Sequence, residues 1–102
     1  MVKVEIVYRG KGLASIHIKG HANAGPAGHD LVCAAISAIA IGSLNALEYA
    51  DDYAISVEEG DVKIEIPGSL GEHDETVLET MIIQLKTIQV SYKEAITIKE
   101  RK

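Results

Sequence analysis

The sequence predicts an α/β protein, an α+β sandwich with a mainly antiparallel sheet of about five strands and two helices, in the order ββαββαβ. Apolar residues alternate with polar ones in residues 2–8, 13–19 and 55–66, which is the period of a strand with one buried face. Residues 31–49 and 74–92 follow the spacing of helices instead. Two helices and about five strands in this order form a two-layer fold.

The strands are predicted to form two hairpins and one separate final strand. Apolar residues alternate with charged ones from Val2 to Tyr8, and a glycine-containing turn at residues 10–12 leads into the second strand. Residues 59–60 (Glu-Gly) connect the strands of the second hairpin, and residues 96–98 indicate a short last strand. Because the strands of a hairpin are antiparallel, most of the sheet is expected to be antiparallel.

The two predicted helices differ in their apolar surface. Asp30 is a suitable N-cap for the first helix, residues 31–49, which is apolar nearly all round. The second helix, residues 74–92, has one apolar face and one polar side. The first helix must be covered on more than one side, either by the sheet and the second helix or by a second copy of the chain. A small domain has little material for such a cover, so we expect a homodimer.

Composition and charge narrow the class of function. The 102 residues have the size of one domain, so we expect a single domain over 1–102. The formal net charge of −5 argues against direct nucleic-acid binding and against an anionic membrane surface, and it leaves room for a basic protein partner. The most apolar stretch contains several small and polar residues, which favours a buried helix over a membrane span.

Two further features predict the compartment. The N-terminal residues alternate between charged and apolar side chains, unlike a secretory signal. The single cysteine excludes an intrachain disulfide, which fits a reducing environment. We therefore expect a cytoplasmic protein.

The residues with reactive side chains are concentrated between Gly20 and Cys33. Cys33 falls three residues after Asp30, in the first turn of the apolar helix. N–H groups there have no intrahelical acceptor and carry the positive end of the helix dipole, which favours a thiolate. The same groups are suited to bind the oxyanion of an attacked carbonyl. Cys33 is therefore a candidate nucleophile.

His21 is the candidate general base for that nucleophile. It follows Gly20 at the end of the second strand, twelve residues before Cys33. A loop containing Gly25 and Gly28 can bring the strand end next to the helix start, and it suits a segment that closes over a peptide. The alternative is a buried cysteine that behaves as a small hydrophobic residue.

Three neighbouring residues each have two interpretations. His29 is an alternative base, or it contacts solvent or substrate. Asp30 is most simply the helix cap, and otherwise it orients His21. Ser37 lies one helical turn after Cys33 and would bond either the thiolate or its own backbone.

A zinc site is a further alternative for the same residues. His21, His29 and Cys33 would supply three ligands, but no fourth ligand stands at a standard spacing. We therefore expect no metal and no cofactor. His17 and His73 are interpreted as structural.

Residues 20–22 read GHA, a glycine-containing loop follows, and residues 28–37 read GHDLVCAAIS. His, Gly, Asp and Cys at this joint spacing, with a serine four residues after the cysteine, resemble the bacterial ribosomal-processing cysteine protease family, also called Prp. The similarity continues through residues 42–46 and reappears in the second helix at residues 78–81 and 85–88. It covers nearly the whole chain.

The resemblance implies an α/β sandwich that forms a homodimer with a catalytic dyad of His21 and Cys33. It also implies a substrate, the N-terminal extension of large-subunit ribosomal protein number twenty-seven, which is removed before or during ribosome assembly. We expect three residues to support the dyad: Gly20, Asp30 and Ser37. The loop between the dyad residues is expected to close over the peptide, and its candidate residues are Ala22, Asn23, Gly25, Gly28 and His29.

Two other functions remain open from the sequence. One alternative is a non-catalytic module that binds ribosomal components during assembly. The other is a thiol hydrolase that acts on another peptide or thioester. The reactivity of Cys33 separates the first alternative from a protease, and a panel of substrates separates the second.

Overall fold

A computed structural model describes residues 1–21 and 30–102 and confirms the predicted order ββαββαβ. The strands and helices are β1 (Val2–Arg9), β2 (Gly12–Gly20), α1 (Leu31–Asn45), β3 (Ala54–Glu58), β4 (Asp61–Glu65), α2 (Glu72–Ser91) and β5 (Ile96–Arg101). A short 3-10 helix, Ala50–Asp52, lies between α1 and β3.

The five strands form one mixed sheet in the order β3-β4-β2-β1-β5. Both hairpins are antiparallel, as predicted, and β4 also pairs with β2 in antiparallel fashion. Among the strands of the described residues, only β5 is parallel to its neighbour, β1, since α2 carries the chain from β4 back to the opposite edge of the sheet. The prediction of a mainly antiparallel sheet is therefore confirmed.

The core lies between one face of the sheet and the two helices. Alternate residues of the central strands are buried on that face, while Lys3, His17 and Lys19 belong to the opposite face. The buried strand residues include Val2, Val4, Ile6, Ile16, Ile18, Ile64 and Ile96. The helices add Val32, Ile36, Ala40 and Leu44 from α1 and Leu78, Met81, Ile82 and Leu85 from α2. These spacings of three and four residues place one face of each helix on the sheet.

The first helix ends earlier than the sequence predicts. We expected it to extend to Tyr49, but α1 stops at Asn45, because the following chain turns toward α2. Its apolar surface is only partly covered within one chain, with Leu31 79% exposed. In the two described ranges, no helix combines the length and apolar character that crossing a bilayer requires.

The boundaries of α2 also differ slightly from the prediction. The helix begins at Glu72 rather than Asp74 and ends at Ser91. Its first turn contains Glu72, Asp74 and Glu75, whose negative charges are favourable at the positive end of the helix dipole.

Asp74 is a buried carboxylate that joins α2 to the segment after α1. Its side chain is 1% exposed and accepts hydrogen bonds from three donors. Oδ1 accepts from the Glu48 N–H at 2.7 Å, and Oδ2 accepts from the Tyr49 N–H at 3.1 Å and from the Tyr53 hydroxyl at 2.6 Å. This contact explains why the chain leaves the helical path before Glu48.

The hydrogen bonds decide the ionisation of this cluster. Burial by itself raises the pKa of Asp74, but the bonds from Tyr53 and from the two backbone N–H groups outweigh it and leave the pKa below its ordinary value. Burial, together with the hydrogen bond to Asp74, raises the pKa of Tyr53 to about 12. The ionised carboxylate is therefore the stable form in the folded protein.

Replacing Asp74 with asparagine is expected to destabilise the protein by about 3 kcal/mol, because an NH2 group would face buried donors. Urea unfolding at pH 7 measures this loss. Because the folded-state pKa of Asp74 is lowered, its stabilisation is present above the ordinary value of 3.8 and is lost as the pH falls through the folded pKa. The difference between wild type and Asp74→Asn should therefore narrow below about pH 4.

Asp51→Asn is the matched control, since Asp51 is an exposed carboxylate on the neighbouring 3-10 helix. It should change the free energy of unfolding by less than about 0.5 kcal/mol. Equal effects of the two variants, or a difference between wild type and Asp74→Asn that stays constant down to pH 2, would contradict the role assigned to Asp74.

Candidate active site

A cavity of about 440 Å³ lies where the end of β2, the first turns of α1 and the β3–β4 hairpin meet. Four of the predicted site residues line it: Gly20, His21, Cys33 and Ser37. The structure thus brings together residues from a strand end and a helix start, as the glycine-containing connection suggested. The residue that carries the thiol and one that carries an imidazole therefore line the same cavity.

Asp30 is the N-cap of α1, as predicted. Its Oδ1 accepts a hydrogen bond from the Cys33 N–H at 2.9 Å, and its main-chain carbonyl accepts from the Ala34 N–H at 3.1 Å. The N–H of Cys33 is therefore engaged by the cap, which departs from our expectation of unpaired N–H groups around the thiol.

Cys33 is half-buried at the edge of the core, and His21 is exposed at the end of β2. Full burial would have fitted a cysteine that serves only as a small hydrophobic residue. Cys33 instead contributes to the core on one side and to the cavity on the other.

Gly20 occupies a position that other residues would not tolerate. Its φ is +105°, and a Cβ added there would lie 2.5 Å from the carbonyl oxygen of Met1. Its N–H also donates to the carbonyl of Gly60 at 2.9 Å. Gly20 therefore lets the end of β2 pass close to the N-terminal strand and sets the direction in which His21 leaves the sheet.

The β3–β4 hairpin forms a wall of the cavity that sequence reasoning did not assign to the site. Its lining residues are Val57, Glu58, Glu59, Gly60, Asp61 and Val62. The hairpin itself was predicted from its alternation and turn, but its pairing with β2 was not. Val57 and Val62 share the core-side face of the sheet with Ile18, whereas the carboxylate of Asp61 bonds to His17 on the opposite face.

The substrate-loop residues fall outside the part of the chain that the structure describes. These are Ala22, Asn23, Gly25, Gly28 and His29. The expectation that the loop closes over a peptide and the two roles considered for His29 therefore stay predictions. The alternative of a zinc site also stays a prediction, because His29, one of its three proposed ligands, lies outside the described residues.

The side chains of the remaining two histidines, His17 and His73, contact residues other than His21 and Cys33. His17 Nε2 lies 2.6 Å from Asp61 Oδ1, across the β2–β4 pair. His73 Nε2 lies 2.9 Å from the carbonyl oxygen of Ala46, just beyond α1. These contacts agree with the structural interpretation of both residues.

A protein-family model described as cysteine protease Prp matches residues 1–97. This chain belongs to the cysteine protease Prp family. Two ribosomal processing cysteine proteases Prp illustrate the relationship. The Staphylococcus aureus protein is 31% identical over 103 residues, which cover 96% of this chain and 97% of that protein. The Bacillus subtilis protein is 32% identical over 96 residues, which cover 86% of each chain.

A solved structure of the family gives the same fold. It is the crystal structure of an essential ribosomal processing protease Prp from S. aureus in complex with a covalently linked product peptide. The TM-score is 0.89 at 30% identity, with 98% of this chain and 99% of that chain covered. Family membership makes this chain a cysteine protease and disfavours the alternative of a non-catalytic binding module.

Gly20→Ala is expected to lower the free energy of unfolding by at least about 2 kcal/mol, because it combines a strained φ with a backbone clash. Gly12→Ala is the control at the other end of β2, where the added Cβ would meet Arg9 oxygen at an ordinary 3.7 Å. Thermal or urea unfolding of both variants checks this. A Gly20→Ala protein as stable as Gly12→Ala would show that the contact with Met1 is not a constraint.

Proposed function

We propose that this protein is a cysteine endopeptidase in which His21 and Cys33 form the catalytic dyad. The observation that carries this proposal is their common position on one cavity, with Cys33 in the first turn of α1 and His21 at the end of β2. Membership of the cysteine protease family supports the same chemistry, because Cys33 is the only cysteine in the chain.

The proposed reaction proceeds in two stages. His21 takes the proton of the Cys33 thiol, and the thiolate attacks the scissile carbonyl carbon to form a tetrahedral intermediate. N–H groups at the start of α1 stabilise the oxyanion, and His21 returns the proton to the leaving amine. Water then attacks the thioester, which releases the acyl product and regenerates the thiol.

We assign supporting roles to two residues near Cys33, Asp30 and Ser37. Asp30 holds the Cys33 backbone through its hydrogen bond to the N–H, so it positions the nucleophile by fixing the first helical turn. Ser37 lines the cavity one turn further along α1, where its hydroxyl would contact the thiolate or the bound peptide.

For the substrate, we propose the N-terminal extension of large-subunit ribosomal protein number twenty-seven. The relatives are named as ribosomal processing proteases, which supports a ribosomal protein as substrate. Charge supports it as well, since the chain carries a net charge of −5, and acidic side chains lie on the β3–β4 hairpin beside the cavity. Such a surface attracts a basic protein at low ionic strength. This assignment places the protein in the cytoplasm, where ribosomes are assembled.

We also propose that the chain works as a homodimer. Several apolar side chains of the two helices are exposed in the single chain, among them Leu31, Ile83 and Val90 at 79%, 62% and 77%. A second copy would remove such residues from water. Sedimentation velocity at micromolar concentration should give about twice the 10.9 kDa of one chain. A species with the mass of a single chain at micromolar concentration would contradict the proposed homodimer.

A mass-spectrometric cleavage assay tests the enzyme and the substrate together. The purified protein is incubated with a peptide spanning the extension of the ribosomal protein from the same organism. We expect one defined cut by wild type and essentially none by Cys33→Ser, because a hydroxyl is a far weaker nucleophile than a thiolate. His21→Ala should lower kcat/KM by at least about 10²-fold through loss of the general base.

His73→Ala is the matched control, since His73 lies on α2 and does not line the cavity. It should cleave at the wild-type rate. A His21→Ala protein with wild-type activity would move the base role to another group, first to His29. Cleavage of other peptides or thioesters but not of the extension would favour the thiol hydrolase alternative and discard the proposed substrate.

A further inference from the structure

Gly60 lies directly against the ring of His21. It is the second residue of the turn that connects β3 and β4, and its φ is +70°. A Cβ added to Gly60 would stand 2.9 Å from His21 Nε2, 3.1 Å from Cε1 and 3.6 Å from Cδ2. Among the described residues, the three heavy atoms nearest to this position all belong to that ring. The imidazole therefore occupies the space that any side chain at Gly60 would need.

Gly60 also holds the backbone beside this ring. Its carbonyl oxygen accepts the N–H of Gly20 at 2.9 Å, one residue before His21. The two contacts act on different parts of His21. The hydrogen bond holds the backbone that leads into His21, and the absence of a side chain at Gly60 determines how closely the imidazole ring approaches the turn.

We propose that Gly60 is a positioning residue for His21, because the bare Cα of Gly60 is the surface against which the imidazole is seated. The inference rests on the proposed dyad, in which His21 is the general base. Gly60 has no functional group and takes no part in proton transfer. It acts on the reaction through the location of the His21 nitrogens.

Movement of the His21 ring is expected to affect the catalytic rate much more than the free energy of unfolding. A separation of 2.9 Å is shorter than real Cβ contacts allow, so either the ring or the turn must shift when a Cβ is present, and the ring is the end of a side chain that can rotate. Because His21 is exposed and its ring turns about two side-chain bonds, that movement costs the fold little. Catalysis is more sensitive, since a general base must stay within hydrogen-bond reach of its proton. A misplacement of about 1 Å can cost about 10²-fold in rate.

Gly10 provides a matched control for the strain of the substitution. It lies in the turn between β1 and β2, with a φ of +63°, close to that of Gly60. Among the described residues, no atom lies within 4 Å of a Cβ placed there. The turn at Gly10 is at the opposite end of its hairpin from Gly20 and the cavity. Alanine at Gly10 and at Gly60 therefore imposes a similar backbone penalty, and only Gly60→Ala displaces the His21 ring.

The experiment compares steady-state cleavage by wild type, Gly60→Ala, Gly10→Ala and His21→Ala. We expect kcat of Gly60→Ala to fall about 10²-fold, toward the value of His21→Ala, while KM changes less than about threefold. Gly10→Ala should keep the wild-type kcat. Wild-type kinetics for Gly60→Ala would overturn the inference, and so would a raised KM with unchanged kcat, because that result would mean simple obstruction of the substrate.

Two measurements keep the inference separate from the proposed function. The ring proton resonances of His21 should shift in Gly60→Ala but not in Gly10→Ala, whatever the substrate is. The pH profile of Cys33 alkylation by iodoacetamide should change in Gly60→Ala as it does in His21→Ala. Unchanged resonances would overturn the seating of His21. Shifted resonances with an alkylation profile that neither Gly60→Ala nor His21→Ala alters would overturn the dyad instead, and with it the role of Gly60 in the reaction.

A second variant covers the case in which Gly60→Ala loses the fold. Asparagine adopts positive φ more readily than alanine, so Gly60→Asn retains the turn while adding the Cβ. Its partner is Gly10→Asn. A folded Gly60→Asn protein with wild-type kcat and unshifted His21 resonances would overturn the inference, and the losses expected for Gly60→Ala would support it.

Discussion

The register between β2 and β4 is the constraint on which the arrangement of the site depends. Lys19 pairs with Asp61, so the next residues, Gly20 and Gly60, meet through a backbone hydrogen bond. A shift of one residue would turn the inward-facing Ile16 and Ile18 of β2 toward the solvent face, which the buried core does not permit. Packing in the core therefore fixes where His21 leaves the sheet, although His21 itself is exposed.

The position of Cys33 depends on two carboxylates that hold the segments around α1. Asp30 accepts the Cys33 N–H at the start of the helix, while Asp74 accepts two backbone N–H groups beyond its end. Asp74 is almost completely buried, and its three hydrogen bonds offset the cost of removing a charge from water. Since α1 also packs along the core through its buried row, Cys33 is held by contacts at both ends of the helix and along one face.

The sequence was sufficient for the features that depend on local patterns. Alternation and helical spacing predicted the order of the elements, and the position of Asp30 predicted the cap. The end of α1 was predicted wrongly, because Asp74, more than twenty residues further along the chain, draws the segment around Tyr49 away from the helical path. Motif spacing placed His21 and Cys33 near each other, but the hairpin wall around Gly60 depends on a strand pairing over about forty residues. Local propensity carries no information about such a contact.

Glycine shows most clearly why the sequence does not reveal this part of the site. Within the described ranges, Gly10, Gly20 and Gly60 all have positive φ, and each sits at a turn or a strand end. Their surroundings differ, since a Cβ would meet open space at Gly10, the Met1 carbonyl at Gly20 and the His21 ring at Gly60. At Gly10 the residue type satisfies backbone conformation alone, whereas at the other two positions it also keeps room for a close approach. Both close approaches occur at the cavity, so the absence of a side chain there determines the shape of the site as much as the reactive groups do.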